Sequence, residues 1–305
     1  MPSALFENLV LHGSKQVIPA FLYGTAWKKE KTAELVYQAL CSGFRAVDTA
    51  AQPKHYREDL VGDGIRRATK EGKVSRDELF IQTKFTSIHG QDPNKMPYDP
   101  NLPITDQIHT SIKSSLHNLR SSPDPSSAGS TILDSLVLHT PLPTLAETLE
   151  AWRTLETYVP HKIRNLGISN VPMGTLEQLY EAAKVKPAVV QNRFYPNTHF
   201  DNKVRAFCVE KGIIYQAFWT LSANPKIVHG AELGAVCHSL GLSSVHEAMY
   251  CLTLSLDNVV ILNGTKNEEH MRGDLEALTK AKTYAEENPE SWKGYVERFR
   301  ALIEW

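Results

Sequence analysis

Short β-rich apolar runs and helical stretches alternate eight times along this chain. The runs are AFLYG (20–24), FRAVD (44–48), ELFIQTKF (78–85), ILDSLVLH (132–139), IRNLGIS (163–169), AVVQNRF (188–194), GIIYQAF (212–218) and NVVILNG (258–264). Between them lie segments such as KTAELVYQALCSG, REDLVGDGIRRATKEG, ITDQIHTSIKSSLHNLR and TLAETLEAWRTLETY, with apolar residues at helical spacing and Gly or Lys near several ends. Strand, helix, strand repeated in one sheet forces the strands parallel. Eight such units in 305 residues suit a closed (βα)8 TIM barrel, α/β in class and a single domain over 1–305. A doubly wound open sheet is the alternative, but no G-x-G-x-x-G follows the first run.

A hydrophobic content of 42% supplies a large core, and by itself allows either one barrel or two smaller domains. The 33 basic and 34 acidic side chains nearly cancel and no Lys/Arg run stands out, so nucleic acid and anionic membrane are not expected partners. A small molecule is. The opening MPSALFENLVLHGSKQVIPAFLYG has no positive flank leading into an apolar stretch, and no later segment stays apolar for about 18 residues. A soluble, cytoplasmic protein is expected; its oligomeric state is left open. Cys41, Cys208, Cys237 and Cys251 lack CxxC or metal-ligand spacing and are expected as free thiols, with no metal site.

Two stretches break the rhythm, 89–103 and 121–130, both rich in Pro, Asp, Ser or Gly. The first follows the third strand, so in a barrel it hangs over the C-terminal mouth as a substrate-lid candidate. The second follows a helix and belongs at the opposite end.

Polar residues at the C-terminal ends of barrel strands point into the mouth. Four strands here end in them: Asp48, Lys84, His139 and the pair Ser169–Asn170, with His55 and Tyr56 on the loop after Asp48. Taken singly, each has an ordinary structural explanation as a cap, a snorkelling lysine or a core histidine. Together they suit proton donation during carbonyl reduction. A tyrosine hydroxyl with a reference pKa near ~10 is a poor acid, and a neighbouring Lys ammonium, held by Asp48, would stabilise the phenolate it leaves. His139 would orient the carbonyl, and Ser169 and Asn170 would hold a planar amide.

These residues resemble the aldo-keto reductase family along nearly the whole chain, through IPAFLYGTAW, GFRAVDTA, FIQTKF, LDSLVLH, IRNLGISN, KPAVVQNRFYP, GIIYQAFWTL and VVILNGT. The resemblance implies a (βα)8 barrel that binds NADPH across its C-terminal mouth and passes hydride to an aldehyde or ketone. It implies a catalytic tetrad at Asp48, Tyr56, Lys84 and His139, and a nicotinamide amide held by Ser169, Asn170 and Gln191. It further implies stacking of the ring on Phe218, where most members carry Tyr, and cofactor contacts from Thr25, Asp48, Trp219, Leu221, Gly264, Thr265, Lys266 and His270. Trp27, His55 and His139 would border the substrate.

The sequence departs from the family pattern in three places. The family reads D-T-A-x-x-Y-x-N-E-x-x-V-G, and counting back from Glu58, Val61 and Gly62 puts His55, not Tyr56, under the tyrosine. A one-residue shift in a loop containing Pro53 is easily absorbed, and a His donor would gain nothing from an adjacent Lys, so Tyr56 is expected to be the acid. After the eighth strand, NGTKNEEHMRGD stands where P-K-S and a phosphate-clamping Arg are common, with Gly264 for the Lys and His270 for the Arg. Lys266, His270 and Arg272 keep cations nearby, so NADPH is expected, with NADH possible. Finally, FWTLSANP replaces Y-S-P-L-G-S, and Trp219 would either cover the diphosphate path or pack under the following loop. The segment SWKGYVERFRALIEW is expected as a final amphipathic helix.

Two other readings remain. One is a regulatory protein that keeps the nucleotide with little turnover. The other is a redox-neutral biosynthetic enzyme using Tyr56 and His55 for proton transfer.

Overall fold

Eight parallel strands close into a ring in the computed structural model of this protein, which describes residues 8–303. Residues 1–7 and 304–305, at the ends of the expected domain, lie outside the described residues. A hairpin of two short antiparallel strands, β1 (Leu9–Val10) and β2 (Val17–Ile18), comes first. The barrel strands follow as β3 (Phe21–Gly24), β4 (Ala46–Asp48), β5 (Phe80–Phe85), β6 (Ser135–Leu138), β7 (Leu166–Ser169), β8 (Val189–Arg193), β9 (Ile214–Phe218) and β10 (Val259–Asn263). Each neighbours the next in sequence, and β10 returns to β3 through Asn263 opposite Tyr23. Every expected run contributes one strand, in the expected order.

Alternation along each strand sorts its residues between two cores. Facing outward, Phe21, Val47, Ile81, Leu136, Ile168, Val190, Tyr215 and Ile261 pack under the surrounding helices. Facing inward, Leu22, Ala46, Phe80, Val137, Val189, Ile214 and Val260 fill the lower barrel, and Leu11 and Ile18 from the hairpin plug it from below. Gly167 marks the tightest point of this interior, since a Cβ there would meet Val189 Cγ2 at 2.2 Å.

On β4, β5, β7, β8 and β9 the next inward position is polar. Gln82, Gln191 and Gln216 form a buried layer: Gln82 Nε2 and Gln191 Nε2 donate to Gln216 Oε1 at 2.7 and 2.8 Å, and Gln216 Nε2 donates back to Gln82 Oε1 at 2.9 Å. Buried polar groups this well satisfied hold one another in fixed rotamers. They form the floor beneath the mouth.

Segment 89–103 lies at the mouth, as expected, but it is tied down. Gln91 Nε2 donates to Ala51 O and Thr86 O, Gln52 Nε2 donates to Gly90 O, and the buried Tyr98 hydroxyl donates to Thr86 O at 2.6 Å. Segment 121–130 forms an Asp124-capped 3-10 turn (Pro125–Ser130) leading into β6, at the other end. The final amphipathic helix is present as Pro289–Ile303, with Trp292, Phe299 and Ile303 buried. All four cysteines are free thiols. Among the described residues no helix is long and apolar enough to cross a membrane, and no cluster could hold a metal.

Candidate active site

Because inward positions recur every second residue, Asp48, Lys84, Gln191 and Phe218 share the barrel interior at the strand ends. Asp48 and Lys84 are both almost wholly buried, and their side chains meet at 2.5 Å. Lys84 Nζ also donates to Thr49 O at 2.8 Å. The glutamine floor fixes the carboxylate from below, with Gln82 Nε2 and Gln191 Nε2 donating to Asp48 Oδ1 at 2.7 and 3.1 Å. Thr25 closes the seam between β3 and β4 by donating its hydroxyl to Asp48 O at 2.9 Å.

The loop after Asp48 separates the two adjacent rings. His55 N and Tyr56 N both donate to Gln52 O, and the turn sends the side chains different ways. Tyr56 goes toward the barrel axis, its ring centroid 5.3 Å from Lys84 Nζ and 6.0 Å from the His139 ring. His55 goes outward and stacks on Trp27 with centroids 3.8 Å apart, and Trp27 N donates to His55 O. Trp27 is exposed, at a left-handed φ of 61°. Beyond Tyr56, the buried Glu58 carboxylate anchors the start of the helix Glu58–Lys70 by accepting from Thr83 Oγ1 and Asn118 Nδ2.

Burial governs the electrostatics. His139 is pushed down to about 3 by burial, then by Lys84, His55 and Arg193, so it is neutral at physiological pH. Its Nδ1 lies 2.7 Å from Thr86 Oγ1. Burial lowers Lys84 more than the Asp48 charge raises it. Tyr56 is raised, first by burial and then by Asp48. In the resting site burial and Asp48 outweigh any acidifying effect of the Lys84 ammonium, which is engaged by Asp48 and Thr49 O. What Tyr56 retains is its proton.

Ser169, Asn170 and Gln191 are brought together. Ser169 Oγ donates to Gln191 O at 2.6 Å, and Asn170 Nδ2 donates to His139 O and Ser169 Oγ. With the Gln191 amide hydrogens committed to Asp48 and Gln216, its carbonyl oxygen is what it can offer an incoming amide.

Trp219 is exposed at the rim, so it does not pack under the following loop. Asn224 holds that loop instead, donating to Phe194 O and Thr220 O. Leu221 is half-buried in the same turn.

The segment Gly264–His270 leads into the helix Glu268–Glu287, whose N-cap is Asn267. Gly264, Lys266 and His270 are exposed and Thr265 is half-buried. Arg272, half exposed, pairs with Glu268 at 2.5 Å one turn back along the helix. Lys28 adds a further cation, one that carried no signal in the sequence. It is buried, donates Nζ to Gly264 O at 3.0 Å, and lies over Tyr23. Burial and Lys266 lower it to about 7.

These residues fit a nicotinamide dinucleotide: an aromatic face at Phe218, an amide acceptor at Gln191, and cations beside an open Gly264, around which a Cβ would meet nothing within 4 Å. A cavity of about 270 Å³ borders Tyr56 and Glu58 on the flank of the site. A larger one, about 740 Å³, is lined by His12, Arg164, Lys184 and Gly212 at the opposite end of the barrel, away from these groups.

A sequence model described as the aldo/keto reductase family matches residues 20–224. The NAD(P)H-dependent D-xylose reductase of Pachysolen tannophilus is 32% identical over 217 residues, 67% of this chain and just under two thirds (65%) of that protein. Glyoxal reductase of Bacillus subtilis is 32% identical, covering 72% of this chain and 68% of its own. Among solved structures, a Bombyx mori aldo-keto reductase in complex with NADP superposes with a TM-score of 0.72 at 21% identity, over 90% of this chain and 88% of that one.

Proposed function

The chain belongs to the aldo/keto reductase family, and we propose that it reduces a hydrophobic aldehyde or ketone at the mouth of its barrel, preferring NADPH and accepting NADH. One observation carries the reading: Tyr56 turns inward to Lys84 and His139 while His55 stacks on Trp27 at the rim. When bound, a reduced nicotinamide supplies hydride to the carbonyl carbon. The protein's part is to hold and protonate. Phe218 offers the stacking face, and the Gln191 oxygen accepts from the carboxamide. Neutral His139, its Nδ1 2.7 Å from Thr86 Oγ1, presents Nε2–H to the carbonyl oxygen in the tautomer whose Nδ1 accepts from that hydroxyl. The Tyr56 hydroxyl gives its proton to that oxygen as alkoxide charge develops, and the Lys84 charge stabilises the phenolate left behind. Trp27 and His55 border the substrate and exclude water. Aldehyde-dependent consumption of NADPH and of NADH across a panel of aromatic and aliphatic aldehydes tests the reading; binding of both cofactors with no turnover on any aldehyde would favour a regulatory protein instead.

Two expectations concern the phosphate end. Gly264→Lys places an ammonium in open space beside Lys28, so it will strengthen NADPH binding about tenfold and leave NADH nearly unchanged. Titrating both cofactors by fluorescence checks this, and an equal gain for both would remove residue 264 from the 2′-phosphate site.

Lys28, lowered to about 7, is half neutral at physiological pH in the free protein. A bound phosphate restores its proton, so cofactor affinity will fall as pH rises from about 7 to about 9, by up to tenfold per unit. The cofactor's phosphates are already almost fully ionised at neutral pH, with a second pKa of about 6, and add little slope of their own. Lys28→Met will bind weakly with a flat profile; a slope surviving in that variant would assign the titration elsewhere. The same depression makes the unfolded chain bind a proton that the native chain lacks between about 7 and the ordinary lysine value. Stability from this residue therefore rises with pH across that window.

A further inference from the structure

Arg193 ends β8, two positions beyond Gln191, so the pleat directs both side chains into the barrel. Its guanidinium carbon lies 5.4 Å from the Phe218 ring centroid and 4.8 Å from that of Trp219. Nη1 donates to Asn170 Oδ1 at 2.6 Å. A planar cation thus rests against the aromatic ring and the amide that the proposed function gives to the nicotinamide. The neighbouring charges cancel, Lys84 against Asp48 at 2.5 Å. Among the described residues no ion pair engages Arg193. It is the uncompensated positive charge of the inner mouth.

We propose that Arg193 makes the site discriminate between the two redox states of its dinucleotide, favouring the reduced form. The proposal rests on reading Phe218, Asn170 and Gln191 as the nicotinamide cradle. The oxidised nicotinamide ring carries a positive charge, the reduced ring carries none, and the phosphates and sugars of the two forms are identical. A cation held a few ångströms from the ring therefore penalises only the oxidised complex. Either ring must displace the guanidinium from the Phe218 face, a cost common to both. The side chain stays tethered at the end of β8, with Trp219 and Asn170 beside it. Two consequences follow. Hydride donation on the protein becomes less downhill, and the spent cofactor leaves readily, so oxidised dinucleotide inhibits weakly.

The test is fluorescence titration with NADPH and NADP⁺ of the unaltered protein, Arg193→Gln and Arg193→Lys. The unaltered protein will bind NADPH more tightly than NADP⁺. Arg193→Gln will shrink that ratio about tenfold, chiefly through tighter NADP⁺, while Arg193→Lys, which keeps the charge, will hold it within about threefold. A purely structural role in holding Asn170 would move both affinities together. An unchanged ratio in Arg193→Gln therefore overturns the proposal. Binding of neither cofactor would overturn the proposed function as well, an outcome distinct from binding without discrimination.

Discussion

Replacing Tyr56 by Phe will lower carbonyl reduction by about 10²–10⁴-fold while cofactor affinity stays close to that of the unaltered protein. The substitution keeps the ring that faces Lys84 at 5.3 Å and His139 at 6.0 Å and removes only the proton. His139 cannot replace it as an acid: held down to about 3, it is neutral and offers only an orienting N–H. His55→Phe will be mild, because His55 contributes a face to Trp27 and a backbone oxygen to Trp27 N. Its loss will appear mainly in KM. The two variants need one aldehyde at saturating NADPH, so that the chemical step is compared at full cofactor occupancy. A dead His55→Phe protein beside an active Tyr56→Phe protein would transfer the donor role to the histidine.

The second large effect is on stability. Asp48→Ala strips the buried Lys84 ammonium of its partner and leaves two glutamine amide donors without an acceptor, so unfolding free energy will drop by about 3–5 kcal/mol. Asp48→Ala combined with Lys84→Met removes the stranded charge together with its partner and will recover a substantial part of that loss. Denaturant unfolding of the two single variants and the double variant measures the coupling. Additive losses would mean that the pair does not act as a unit. All three proteins will be catalytically poor, since the pair supports Tyr56.

The barrel was legible because each strand carries its own signature. A run such as FIQTKF announces a strand by composition, and the helical spacing between runs dictates a parallel sheet. The inward set Asp48, Lys84, His139 and Ser169 followed from strand ends alone. The β1–β2 hairpin did not, since two-residue strands leave no periodic trace. Gln82 and Gln216 looked like ordinary strand residues, and their bonding to Gln191 exists only once the barrel closes.

Chemical reasoning favoured Tyr56 over His55, but the direction each ring takes is a property of the Gln52–Tyr56 turn, which sequence spacing does not encode. Arg193 carried a usable signal: it sits at the same strand parity as Gln191, which the family resemblance sets against the nicotinamide amide. Lys28 had none, because its burial comes from the approach of Gly264, 236 residues away.

That this mouth moves hydride and a proton to a carbonyl is measured most directly by product analysis after mixing the protein with an aldehyde and NADPH carrying deuterium at both nicotinamide C4 positions. The expected product is an alcohol with deuterium on the former carbonyl carbon, formed in equal amount to the cofactor consumed and falling sharply with Tyr56→Phe. Product without deuterium, or product formed in the absence of any nicotinamide, would contradict it.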